Sequence, residues 1–166
     1  KYGDFTEDNL SVDTVIAYLF GLTDEEKSKR LLDNTEKILE TKNNSLQKAG
    51  DYGVMCVYPF YKGVESTFSR TSQDYNYHNG ANWPYLACLY SYAKYLAGRE
   101  YEYALTSWFT YNCERKNFTP VEYFSPCVRT GSAQQAWSGM AAFVYDNVGK
   151  PSFFAPKFNT FMSESP

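Results

Sequence analysis

The sequence predicts an all-α fold of about five helices in inner and outer pairs, interrupted by long loops. Three observations predict it. Apolar residues recur at helical spacing in several separate stretches, helix start and stop signals bracket those stretches, and charged helices alternate with apolar ones. Taken in order, the first helical stretch runs from about Ser11 to Leu22, "SVDTVIAYLFGL". The second, "TDEEKSKRLLDNTEKILE", opens on a capping box of Thr23 with Glu26, and acidic residues fill its first turn as the helix dipole prefers. Leu31, Leu32, Thr35, Ile38 and Leu39 make it amphipathic.

The helical pattern stops at Asn43 and resumes at Pro84, a connection of about 40 residues; loops of that length in a compact domain are usually functional. Within it, "GDYGVMCVYPFYKG" suits a short strand or an extended loop. Pro84 then sits well in the first turn of a third helix, "PYLACLYSYAKYLAG", and Gly98 suits its stop. Leu86, Leu89, Tyr90, Ala93 and Leu96 form one face of it. A fourth helix follows over "REYEYALTSWFTYNCERK". Pro120 and Pro126 mark the next loop, and a second capping box, Ser132 with Gln135, opens a fifth helix over "SAQQAWSGMAAFVYDNVG". The expected division is one domain over residues 1–150 and an irregular Pro/Phe-rich tail over residues 151–166.

Composition narrows the function classes. The net charge of −3, from 16 basic and 19 acidic residues, offers no clustered basic face, so no nucleic-acid partner is expected. No apolar run is long enough for a membrane helix, and the polar start Lys1 to Asp13 does not read as a signal peptide, although a trimmed mature chain would look the same. Cys56, Cys88, Cys113 and Cys127 are scattered without a CxxC pair, and the chain holds a single histidine, so neither a metal site nor a cofactor is expected. Tyr, Phe and Trp make up 19% of the residues. Such rings, apolar in body with polar handles on Tyr and Trp, fit either a padded core or the flat faces and hydroxyl rims of sugars.

Two segments concentrate chemistry. "DYNYHNGANWP", Asp74 to Pro84, gathers Tyr77, His78, Asn79 and Trp83, more than a turn requires. Arg70 and Asp74 stand just ahead of the histidine, able to pair with each other or to touch a ligand. Glu122 lies in a loop between helices with Val121, Tyr123 and Phe124 beside it; apolar surroundings can poise a carboxyl as a base, though an ordinary loop glutamate has the same neighbours in sequence. Trp137 is a core aromatic or a stacking platform, and Gln135 a pocket residue or a cap.

Together these segments resemble a known family. "RTSQDYNYHNGANWPYL" is similar to the R-D-x-x-Y-H-N-G-x-x-W-P-x-L pattern of the glycogen debranching enzyme glucosidase domain and related (α/α)6-barrel glycosidases and phosphorylases. "EYFSPCVRTGSAQQAWS" follows that family's order of a glutamate, a glycine-containing loop and A-Q-A-W-S, and "YGVMCVYPFY" resembles the segment ahead of the first motif. The resemblance, which spans Asp8 to Tyr145, implies a partial (α/α)6 toroid with an active site in its loops. It implies an inverting, exo-acting glycosidase for a glucoside or similar oligosaccharide. Tyr77, His78, Asn79 and Trp83 would line the sugar pocket, Glu122 would be the general base, and Gln135 and Trp137 would support the pocket.

Two departures accompany the resemblance. The barrel half that usually carries the general acid is absent, so the remainder of the barrel, from the same or another chain, is the expected partner. Arg70 is followed by Thr71, and the acid comes only at Asp74, a possible second carboxylate. A phosphorylase on the same barrel and a non-catalytic carbohydrate-binding helical domain are the alternative readings.

Overall fold

A computed structural model describes residues 8–62, 73–114, 116, 121–127 and 139–150. Among them the chain is predominantly helical: α1 (Val15–Leu19), α2 (Glu25–Leu39), α3 (Pro84–Leu96), α4 (Glu102–Glu114) and α5 (Met140–Asn147), with β1 (Leu10–Ser11) and β2 (Val57–Tyr58) pairing antiparallel. Arg70, Gln135, Trp137, the Ser132/Gln135 capping box and the tail 151–166 lie outside the described residues.

Several boundaries correct the sequence reading. The first helical stretch divides into a 3-10 turn, Val12–Thr14, and the short α1. It ends at Gly21, which adopts φ +68°. The cap of α2 is Asp24 rather than Thr23: Asp24 has the extended backbone of an N-cap and accepts a hydrogen bond from Lys27 N at 2.8 Å. Thr23 Oγ1 instead meets Ser28 Oγ at 2.7 Å. On α2 the buried residues are Leu32, Thr35 and Leu39, the middle of the expected stripe.

The largest correction concerns α3. Pro84 opens it and Gly98, at φ +66°, follows its end, as the start and stop signals require. Its deepest residues, however, are Ala87, Cys88, Tyr90, Ser91, Tyr92, Ala93 and Lys94, while Leu86, Leu89 and Leu96 are only half-buried. The helix packs against α1, α4 and α5, so most of its circumference is covered and a single leucine stripe is the wrong description. Small residues permit the close approaches and tyrosines fill the wider gaps: Tyr92 meets Phe143 of α5 edge-on at 5.6 Å, and Ser91 Oγ donates to Tyr101 O just ahead of α4 at 3.0 Å.

One polar cluster was invisible to the pattern of apolar residues. Glu40, at the end of α2, is 1% exposed and Lys94, on α3, is 2% exposed. Lys94 Nζ donates to Glu40 Oε1 at 2.6 Å, and Tyr90 OH donates to the same oxygen at 3.0 Å. Asn43 Nδ2 donates to Glu40 Oε2 at 3.0 Å. Glu36 and Glu100 stand 3.5 and 3.6 Å from the ammonium. Burial and then the Glu40 carboxylate push the Tyr90 hydroxyl far above its ordinary pKa, which keeps it a proton donor. A buried pair with so many hydrogen bonds fixes how α2 and α3 meet.

Removing Lys94 leaves the buried Glu40 carboxylate with the weaker contact of Lys42 Nζ, 3.6 Å from Oε2, while removing the Glu40 charge leaves the buried ammonium with Glu36 and Glu100 at 3.5 and 3.6 Å. Lys94→Met is expected to cost about 3–5 kcal/mol in urea unfolding, and Lys94→Met with Glu40→Gln much less than that. Equal losses for the single and double variants would show that the pair does not act as a unit.

Candidate functional site

The segment Tyr52–Tyr61 forms a bed for the histidine loop. Cys56 N donates to Ala81 O at 2.9 Å, and Tyr52 OH donates to Gly80 O at 2.7 Å. The Cys56 thiol lies between Tyr77 O and Gly80 N, each 3.4 Å away. Burial pushes that thiol up to about 12, so it is a packed, protonated group and not a nucleophile. The loop is tightly coiled: Tyr75 has φ +68°, Tyr77 φ +43° and Gly80 φ +104°. A Cβ on Gly80 would run into the Phe60 ring. Tyrosines in the left-handed region are unusual, and conformations of that kind persist only where surrounding bonds over-determine them. Here Asn76 Oδ1 accepts from Tyr77 N at 2.9 Å, and Tyr75 OH accepts from Lys48 N at 2.9 Å.

The glutamate loop is registered against this one through Asn82 and Phe124. Asn82 N donates to Phe124 O at 2.9 Å, and Phe124 N donates to Asn82 O at 2.7 Å. Val121 and Phe124 are buried on either side of Glu122 and Tyr123, which are half-buried. The bend at Glu122 leaves the two apolar residues sunk on either side, with the Tyr123 ring against Tyr77 and Trp83 and the Glu122 charge acting on His78.

The result is an aromatic cluster beside a carboxylate. The His78 ring stacks on Trp83 with centroids 4.8 Å apart and planes 3° apart. Trp83 also stacks with Tyr123 at 5.5 Å, and Tyr77 lies 4.0 Å from His78 and 5.3 Å from Tyr123. Burial holds the His78 imidazole below its ordinary 6.5, while the nearby Glu122 charge pulls the other way. Burial likewise raises the Tyr123 phenol, with the Glu122 charge adding to it.

Two expected sugar contacts take different roles. Trp83 is 5% exposed, and its Nε1 donates to Tyr77 O at 3.0 Å, so the faces offered outward are those of His78, Tyr77 and Tyr123. Asn79 is 2% exposed; its Oδ1 accepts from Tyr61 N at 2.7 Å and its Nδ2 donates to Tyr61 O at 3.4 Å. It clamps the loop to its bed instead of presenting an amide to solvent. Asp74 lies at the loop entrance with Oδ2 3.7 Å from Lys62 Nζ, and its charge is felt at Tyr58, whereas Glu122 is the carboxylate felt at His78.

Sequence reasoning missed Tyr123 and Asn82. Tyr123 carried one usable signal, its place next to Glu122. Nothing local announced that Asn82 would pair with Phe124.

Among the described residues no group of three or more His, Cys, Asp or Glu side chains is placed to hold a metal ion, and no helix is long and apolar enough to cross a membrane. No protein-family model matches the chain, and no curated protein matches it.

His78, the single histidine, is a clean reporter. Its imidazole is expected to titrate below 6.5 by NMR, and lower still in Glu122→Gln, because the one charge that raises it is gone. Above 6.5 both folded and unfolded histidine are neutral. Below it the unfolded chain takes up the proton first, so this residue's contribution to stability falls as the pH drops from 6.5 through the folded pKa. A His78 pKa above 6.5, or one unmoved by Glu122→Gln, contradicts this geometry. For Asn79→Ala, the orphaned Tyr61 N–H is expected to cost about 1–3 kcal/mol in thermal or urea unfolding, more than loss of a solvent-facing amide would.

Proposed function

We propose that this chain supplies one side of the active site of an inverting, exo-acting glycoside hydrolase, built on part of an (α/α)6 toroid, with Glu122 as the general base. The observation that carries the reading is the paired backbone of Asn82 and Phe124, which sets a half-buried carboxylate beside the His78, Tyr77 and Tyr123 rings. The resemblance of the two motifs to the glycosidase pattern supplies the reaction.

In that reaction a water held by Glu122 attacks the anomeric carbon on the face opposite the leaving oxygen. Glu122 accepts the water proton as the new C–O bond forms, and an acid on the other side protonates the departing oxygen. An inverting pair stands ~6.5–9.5 Å apart, leaving room for the water. The acid belongs to the remainder of the barrel, on this or another chain. The rings of His78, Tyr77 and Tyr123 pack against the C–H face of a glucoside or similar oligosaccharide, and the imidazole bonds a hydroxyl.

A base without its acid has a chemical signature. A dinitrophenyl glucoside releases a stable anion and needs little protonation, whereas an alkyl glucoside needs the acid. The chain alone is expected to hydrolyse the first slowly with inversion, to leave the second untouched, and to lose about 10²–10⁴-fold of the first activity in Glu122→Gln. Turnover of the dinitrophenyl glucoside that ignores Glu122→Gln, or oligosaccharide binding with no turnover, removes the base assignment. Robust turnover of the alkyl glucoside shows that both carboxyls lie within this chain.

A further inference from the structure

A second polar hollow lies between residues 51–53 and α4, built by groups that play no part in the reaction above. It has a volume of about 400 Å³, within the range of small-molecule sites. Tyr103, Thr106, Ser107, Thr110 and Glu114 line it from one face of α4, at helical spacing, and Asp51 faces them.

Three features distinguish it from a solvated groove. Gly53, at φ +103°, forms part of its wall, and a Cβ there would run into Asn82 Nδ2 and Ser107 Oγ. A side chain at this position is thus excluded twice, by conformation and by space. Ser107 Oγ is shielded and has no hydrogen-bond partner among the described residues. A serine hydroxyl has three staggered positions, and one that is turned inward without a partner gives up no bond by rotating toward the hollow. Asn82 Oδ1, behind Gly53, is likewise buried and unpartnered, while Asn82 Nδ2 donates to Tyr52 O at 3.0 Å.

The wall specifies the ligand class. Asp51 Oδ1 is engaged by Tyr103 OH at 2.5 Å and Thr41 Oγ1 at 2.9 Å, and Thr106 Oγ1 donates to Glu102 O at 2.8 Å. Those bonds occupy the hydroxyl donors of Tyr103 and Thr106. With two carboxylates and no basic side chain in the lining, an anion is repelled. Lys42 Nζ lies 3.9 Å over the Tyr103 ring and 3.3 Å from Glu100, outside the lining. We propose that this hollow is a binding site for a neutral polyhydroxylated ring, a sugar unit held by Ser107, Thr110 and Asp51. Glu122 is not part of its lining, and the site does not depend on catalysis.

The test is amide NMR on the whole chain with maltotriose, glucosamine and glucose 6-phosphate as probes. Maltotriose at up to about 50 mM is expected to shift the Ser107, Thr110 and Gly53 amides, with glucose 6-phosphate weaker. Ser107→Ala and Thr110→Val, which change small side chains on the face of α4 that lines the hollow, are each expected to weaken that binding about fivefold. No shift on α4, shifts unchanged in the double variant, or glucosamine binding more tightly than maltotriose overturns the site as described. Because the readout is on α4, failure here is distinct from failure of the Glu122 assay: either can occur with the other intact.

Discussion

The carboxylate of Glu40 is the point on which the rest of the fold is registered. It lies where α2 stops being a helix, and it meets Lys94 and Tyr90 of α3 in a site closed to water. A buried ion pair contributes little net stability over an apolar replacement, but it tolerates few arrangements. Fixing Glu40 fixes the chain that leaves it. Met55 N donates to Leu39 O at 2.8 Å, and Thr41 N donates to Gly53 O at 2.9 Å, so residues 53–55 lie alongside the end of α2. Cys56 then pairs with Ala81, and Asn82 pairs with Phe124. Four segments distant in sequence are laid side by side by a handful of backbone bonds, the first of them beside this charged contact.

This succession explains how a mostly helical chain holds a site in loops. Loops carry function when a rigid scaffold positions them. Here the scaffold is α3, whose first residue follows Trp83 directly, so the aromatic cluster grows out of a helix start. The side chains divide by direction. Asn79 spends its hydrogen bonds on the backbone of the bed, Cys56 and Tyr52 spend theirs on the backbone of the loop, and His78, Tyr77, Tyr123 and Glu122 remain at or near the surface. The two tyrosines in left-handed backbone conformations are consistent with that division, because a loop so bound can hold conformations that a free one would leave.

Helix number and type were legible in the sequence because apolar spacing, Pro84 and Gly98 act locally. The grouping of Glu122 with the histidine loop was legible only as a pair of motifs, through resemblance. What was not legible depends on partners far along the chain. The leucines of α3 looked like its buried face because leucine is usually buried, yet the helix is covered on most sides and its tightest contacts belong to alanine, serine and tyrosine. Lys94 reads as a solvated residue in any window that omits Glu40. Asn79 and Trp83 stood out as polar and aromatic groups in a loop. Whether such a group faces a ligand or its own backbone is decided by Tyr61 N and Tyr77 O, which no spacing rule connects to them.

The charge state of His78 bears on the proposed role of Glu122. An imidazolium beside a carboxylate would form an ion pair, and a paired carboxylate is a poorer proton acceptor. Partial burial favours the neutral ring instead, against the pull of Glu122 itself. A neutral imidazole can still hold a sugar hydroxyl, donating from one nitrogen or accepting at the other, without cancelling the neighbouring charge. The burial that lowers the imidazole therefore favours the form of His78 that the proposed role of Glu122 as a base would require.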